Sequence, residues 1–238
     1  MSGVSLVTGS ARGLGLEVAR HLARRGDLVH AVWRSEGECA QALRAEFGRR
    51  AHRADLLAAD EARRVVEEVL ALDCRLDHVV HAVGEYLSGP LATTSADDLA
   101  RMLASNVQSA QLVFDAARPA LRAARGDAVF FGCSGLAGFR ARRRTAAYAA
   151  AKSALLVLVK SWALEEAPHG VRVNMVSPGH VPHPDAHSDT LDPERLEGIP
   201  LGRPGVPLDV ARAVAFLTSE EAAYTTGNEL GVTGGWML

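Results

Sequence analysis

Short apolar runs alternate along the chain with longer stretches in which apolar residues recur every three or four positions. The runs are Val4–Thr8, Leu28–Trp33, Arg50–Ala54, His78–Ala82, Ala128–Cys133, Arg172–Val176 and Glu229–Val232. Apolar runs this short predict strands buried on both faces. The longer amphipathic stretches predict helices near Leu14–Arg25, Glu38–Phe47, Ala59–Leu72, Ala96–Arg118, Ala147–Ala167 and Leu208–Leu217. Strand and helix in strict alternation imply βαβ units, and right-handed crossovers then wind them into a doubly wound sheet. The expected fold class is α/β: a Rossmann-like three-layer αβα sandwich around a central seven-stranded parallel sheet. Ligands of such sheets bind beyond the carboxyl ends of the strands. The stretch Ser177–Pro207 breaks the alternation. It is long, rich in proline and polar, which predicts a substrate loop.

The first strand runs into Thr8-Gly9-Ser10-Ala11-Arg12-Gly13-Leu14-Gly15, and a helix follows at once. Glycines there allow a tight turn and close backbone approach, and the new helix points free N–H groups at an anion. The loop therefore predicts a phosphate site. The second strand ends in Trp33-Arg34-Ser35, with no acid before Glu36. An acid at that strand end would hold the 2′-hydroxyl of NAD, whereas an arginine accommodates the 2′-phosphate of NADP. Arg34, with Arg12 as a second cation, favours NADP(H) over NAD(H). Tyr148 and Lys152 stand four residues apart on one face of a predicted helix. A nearby cation favours the phenolate and tunes a tyrosine toward proton transfer at a carbonyl or alcohol oxygen. Ser134, after the fifth strand, could hydrogen-bond the same oxygen.

Together these residues resemble the short-chain dehydrogenases/reductases in their single-domain form, over essentially the whole chain. The carriers are Thr8-Gly9-x-x-x-Gly13-x-Gly15, Asp55-Leu56, Asn106-Val107, Ser134 and Tyr148-x-x-x-Lys152. Val173-Asn174-Met175-Val176-Ser177-Pro178-Gly179, Arg203-Pro204-Gly205-x-Pro207-x-Asp209, Thr226-Gly227 and Gly234-Gly235 follow in order. The resemblance implies Tyr148 as general acid/base, and Lys152 as the residue that lowers its pKa and holds the nicotinamide ribose. Ser134 polarises the substrate carbonyl and Asn106 supports a water in a proton relay. It further implies a cofactor held by Gly9, Ser10, Arg12, Gly13, Leu14, Gly15, Arg34, Ser35, Asp55 (on the adenine), Leu56, Gly84, Pro178, Gly179 and Val181. Within the family the pattern is most similar to 3-oxoacyl-(acyl carrier protein) reductases. Pteridine or quinone reductases are the alternative, and a non-catalytic dinucleotide-binding scaffold is the rival from another class. Three positions depart from the pattern. His81-Ala82-Val83-Gly84 replaces the family's Asn-Asn-Ala-Gly. Ser134 lies 14 residues before Tyr148 rather than the commoner 13. His183 stands where a threonine is common.

Composition narrows the partners. The 238 residues carry a net charge of −2 and only 5% aromatics, which speaks against nucleic-acid binding and base stacking. Cys39, Cys74 and Cys133 show no zinc or disulfide spacing. No signal-peptide pattern opens the chain, and the longest uninterrupted apolar run, near Ala154–Val159, is too short to cross a membrane. The expectation is a cytoplasmic enzyme with no metal. His180, His183 and His187, with Asp185 and Asp189, lie on a proline-broken segment unsuited to rigid coordination. Arg140, Arg142, Arg143 and Arg144 form a basic patch before Tyr148, suited to an anionic or carrier-protein-bound substrate. The apolar end Trp236-Met237-Leu238 suggests subunit packing, and the resemblance implies a homo-oligomer, tetramer or dimer.

Overall fold

The computed structural model describes residues 3–136, 138, 140–182 and 197–237. It contains seven parallel strands: β1 Val4–Thr8, β2 Leu28–Trp33, β3 Ala51–Arg53, β4 His78–His81, β5 Asp127–Phe131, β6 Arg172–Pro178 and β7 Glu229–Val232. Their order is β3-β2-β1-β4-β5-β6-β7. The helices between them are α1 Gly13–Arg25, α2 Glu38–Phe47, α3 Ala59–Asp73, α4 Ala96–Leu103, α5 Ser109–Ala124, α6 Ala146–Glu166 and α7 Pro207–Leu217. The expected seven-stranded Rossmann-like fold is present.

Side chains of a strand alternate between faces, and this splits the core in two. Val4, Leu6, Val79, Ala128 and Phe130 pack with α3, α5 and α6. Val7, Val80, Val129, Phe131 and Val176 pack with α1 and α7. Between α5, β5 and α6, the rings of Phe114, Phe130 and Trp162 meet with centroids 4.7 to 6.0 Å apart. The stretch Ala146–His169 is long and apolar enough to cross a membrane on length and composition, but half of that window is buried against the sheet. This differs from the run-length expectation because helical burial draws on a periodic face, not on an unbroken apolar run.

Two predicted boundaries shift. The fifth strand ends at Phe131, and the Gly132 N–H makes the last ladder bond, to the Val176 carbonyl. The helix expected over Ala96–Arg118 is interrupted by a π-helical turn at Ala104–Gln108. Side chains hold that turn. Asn106 Nδ2 donates to the Met102 carbonyl at 3.0 Å, and Ser109 Oγ donates to the Ser105 carbonyl at 2.6 Å. Such turns widen a helix and occur often at functional sites.

On the edge of the sheet far from the strand carboxyl ends, a polar chain is buried. His30 contacts Asp73 at 2.7 Å and His52 at 2.8 Å, and Arg50 clasps the same Asp73. Burial is the main force that holds His30 down to about 4, and the Arg50 guanidinium holds Asp73 down to about 2.

Candidate active site

Because all seven strands run parallel, the loops after β1 to β6 open on one edge. They line a cleft of about 1300 Å³. That exceeds the few hundred Å³ a small ligand fills and suits a dinucleotide together with a substrate. Gly9, Arg12, Gly13, Leu14 and Gly15 form its floor. A Cβ at Gly15 would sit 2.2 Å from the Gly9 carbonyl oxygen, so no larger residue lets the turn close this tightly. No side chain caps the N-terminus of α1, which leaves its first N–H groups available to an anion. Ser10 is the exception in this loop. It is fully buried, and its Oγ donates to the Val7 carbonyl at 2.6 Å. It stabilises the turn from behind and is not part of the cleft wall.

An adjoining pocket shares Arg34, Ser35, Glu36, Ala54 and Asp55 with this cleft and is completed by Arg53 and Glu61, with Leu56 alongside. Glu36 is held by Arg44 at 2.5 Å and lies 3.6 Å from Arg53, while Glu61 pairs with Arg64 at 2.9 Å. No ion pair to Arg34 occurs among the described residues. Glu36 and Glu61 are thus matched by Arg44 and Arg64, and Asp55 makes no ion pair among the described residues.

At the other end, Ser134, Tyr148, Lys152, Pro178, Gly179 and Val181 line the same cleft. Ser134 is anchored by its backbone N–H to the Pro178 carbonyl at 3.2 Å. Lys152 is buried, donates to the Phe131 carbonyl at 2.7 Å, and lies 5.7 Å from the centre of the Tyr148 ring. Burial depresses Lys152 to about 8. Burial also pushes the Tyr148 phenol well above its usual range, with smaller contributions from Cys133 and Tyr86. Desolvation thus sets the direction for Tyr148 here. Asn106 does not line the cleft. It is fully buried behind Gly84, and its Oδ1 has no hydrogen-bond partner. A Cβ on Gly84 would stand 2.2 Å from that oxygen and 3.2 Å from Lys152 Nζ, so glycine alone lets the two groups share this corner.

Residues 9–237 match a family model described as enoyl-(acyl carrier protein) reductase. The chain is 32% identical to a 3-oxoacyl-[acyl-carrier-protein] reductase of Chlamydia trachomatis, over 97% of this chain and 96% of that one. It is 35% identical to an L-fucose dehydrogenase of Mus musculus, over 98% and 87%. The chain belongs to the short-chain dehydrogenase/reductase family. Among solved structures, it is similar to a mutant short-chain dehydrogenase/reductase of Serratia marcescens (TM-score 0.90, 28% identity, 99% and 98% coverage). It is also similar to a blue fluorescent protein from a metagenomic library in complex with NADPH (TM-score 0.89, 31% identity, 99% and 98%).

As a member of this family the chain lacks the usual asparagines after β4, and the structure shows what replaces one of them. His81 is buried between Thr8 Oγ1 at 2.9 Å and Ser109 Oγ at 3.1 Å. The Ser109 hydroxyl already donates to Ser105, so it accepts from His81 Nε2–H. His81 Nδ1 then accepts from Thr8. The ring thereby ties the end of β1, where the glycine loop begins, to the π-helical turn that carries Asn106. Burial first, and the Lys152 charge second, hold His81 down to about 3.

His30 and His81 together set an acid limit. Both are neutral in the fold and take up a proton near pH 6.5 once unfolded. Stability is therefore full above pH 6.5 and falls as the pH drops toward 4. For His30 alone the loss is about 3 kcal/mol at pH 4. Thermal melting from pH 7 to 4 should show a steady decline in Tm, made shallower by His30→Gln.

Arg53 and Tyr86 belong to no sequence motif. Arg53 joins the pocket beside Arg34 because its strand register sets it opposite Trp33. Tyr86, 67% exposed, meets Tyr148 edge to face at 5.1 Å. Trp236 and Met237 line the cleft, where Trp236 meets His180. Arg142 and Arg144 of the basic patch also line it. His183, Asp185, His187 and Asp189 lie outside the described residues. No cluster suited to a metal occurs among the described residues.

Proposed function

We propose that this oxidoreductase interconverts a carbonyl and a secondary alcohol with NADP(H), on a substrate of the 3-oxoacyl class. The observation that carries the reading is that Ser134, Tyr148 and Lys152 converge in the cleft whose floor is the uncapped start of α1. The uncapped helix and glycine floor would hold the pyrophosphate, Arg34 with Arg53 and Ser35 the 2′-phosphate, Asp55 the adenine, and Lys152 with Pro178, Gly179 and Val181 the nicotinamide end. When bound, the reduced nicotinamide supplies a hydride. Ser134 orients the carbonyl by donating its hydroxyl hydrogen to the oxygen. Tyr148, protonated at neutral pH, gives that oxygen its proton as negative charge develops there. Lys152 is the nearby cation that stabilises the resulting phenolate. The unpartnered Asn106 Oδ1 would hold a water through which the proton is replaced. The relatives named as 3-oxoacyl reductases support the substrate class.

We further read the chain as one domain, 1–238, working in the cytoplasm as a homo-oligomer. Three unpaired cysteines fit a reducing compartment. Exposed Val157 and Leu164 on α6 and Leu99 and Leu103 on α4 suit subunit contact.

An NADPH-oxidation screen over 3-oxoacyl thioesters, quinones, pterins and simple ketones tests the reaction; no turnover of any carbonyl compound would refute it. The cofactor is tested separately. Trp33 and Trp236 both line the cleft and report binding by fluorescence. Arg34→Ala should weaken NADPH binding by about 10- to 100-fold, the worth of a charge-assisted contact, and leave NADH nearly unchanged. An unaltered NADPH/NADH ratio would count against the role of Arg34.

A further inference from the structure

At the substrate end of the cleft sits a cation that no described carboxylate neutralises. Arg142 lines the wall with Tyr86, Ser134, Tyr148 and Met237. Its Nη2 donates to the carbonyls of Ser134 at 2.7 Å and Gly135 at 2.8 Å, which pins the guanidinium beside Ser134. Its Nη1 donates to Met237 Sδ at 3.1 Å. The Ser134 hydroxyl points at the same sulfur, at 3.6 Å. Arg144 brings a second guanidinium to the cleft lining, and Glu85, an acid that also lines it, is engaged by Arg101 at 3.1 Å.

A thioether is a weak acceptor, whereas a guanidinium binds a carboxylate by short charge-assisted bonds. One sulfur therefore occupies a point on which two better donors converge. One of them, Ser134, is the donor assigned above to the reacting carbonyl. Both lie within 3.6 Å of a single atom, so a molecule that satisfies both carries its two acceptor groups only a few bonds apart.

We propose that the substrate is a short free 3-oxo acid. Its keto oxygen takes the hydrogen bonds of Ser134 and Tyr148, and its carboxylate displaces the Met237 sulfur from Arg142. This rests on the carbonyl-reductase reading and narrows it, because a carrier-bound or otherwise esterified 3-oxoacyl group has no charge to offer Arg142. In the reaction, hydride adds to the keto carbon and the carbon–oxygen π bond breaks. Tyr148 protonates the oxygen, the nicotinamide is oxidised, and the carboxylate leaves unchanged on a 3-hydroxy acid.

The test compares kcat/KM with NADPH for acetoacetate, methyl acetoacetate and the N-acetylcysteamine thioester of acetoacetate. Acetoacetate should be preferred to both neutral compounds by about 100-fold. Arg142→Gln should bring that ratio close to one, and Arg142→Lys should restore part of it. A wild-type preference for the ester or thioester, or a preference for the acid that survives in Arg142→Gln, overturns the proposal. A second arm measures binding of malonate and of malonamide by calorimetry on the wild type and Arg142→Gln. Saturable malonate binding by the wild type alone supports the anion site, and its absence overturns it. Should none of the three carbonyl compounds be reduced, the reductase reading fails and the malonate arm still decides the anion site.

Discussion

Tyr148→Phe is expected to lower kcat for carbonyl reduction by about 1000-fold, within the range that a positioned general acid contributes. The argument rests on what the substitution leaves in place. The phenol makes no hydrogen bond among the described residues, and the ring rests edge to face on Tyr86 at 5.1 Å. Phenylalanine keeps that packing, so Tm and the cofactor Kd should move little. The loss then falls on kcat rather than on KM, the pattern of an interaction made mainly in the transition state. Steady-state kinetics with NADPH, paired with fluorescence titration of the cofactor, separate the two. Turnover within tenfold of wild type would remove Tyr148 from the mechanism.

Lys152→Met should abolish activity and at the same time make the fold more stable. The Lys152 ammonium is buried, and desolvation holds it at about 8 against an ordinary value of 10.5. A group whose pKa is lowered by folding costs stability while it is charged. Below pH 8 that cost is complete, about 3 kcal/mol. Between pH 8 and 10.5 the unfolded chain holds a proton that the folded chain has released, so wild-type stability recovers as the pH rises. Methionine removes the charge but leaves the Phe131 carbonyl without the bond it receives at 2.7 Å, which returns about 1 kcal/mol. The net gain is about 2 kcal/mol, or roughly 4 to 8 °C in Tm, at neutral pH, shrinking toward pH 10. Melting curves at pH 7 and pH 10 check it. The same titration predicts that wild-type reduction slows as the pH climbs through about 8 and Lys152 loses the charge that stabilises the phenolate. A Met variant no more stable than wild type at pH 7 would contradict a charged, buried Lys152.

Much of this site could be read along the chain because its parts are local. Gly9, Gly13 and Gly15 are set by a turn a few residues long, and Tyr148 and Lys152 by a single helical turn. Arg34, Asp55, Gly84, Ser134 and Pro178 each follow a strand, and parallel strands carry every such loop to one edge. Ser10 shows where local reading stops. It sits within the glycine loop by sequence, yet the sharp turn rotates its hydroxyl back onto Val7. Asn106 was placed on an uninterrupted helix, but its own side chain bonds to Met102 and helps open that helix into a π turn.

The sequence by itself determined the fold class, the glycine turn and the tyrosine–lysine pair, because hydrophobic period, glycine spacing and helical spacing are properties of neighbouring residues. Only the tertiary structure decided the rest. Strand register brought Arg53 beside Arg34. The close packing of Thr8, His81 and Ser109, from three separate elements, gave the histidine a structural task. The return of the chain near its end set Met237 between Ser134 and Arg142. Burial, which no spacing reveals, left Lys152 close to losing its proton, because desolvation depends on everything packed around a group rather than on what stands next to it in the chain.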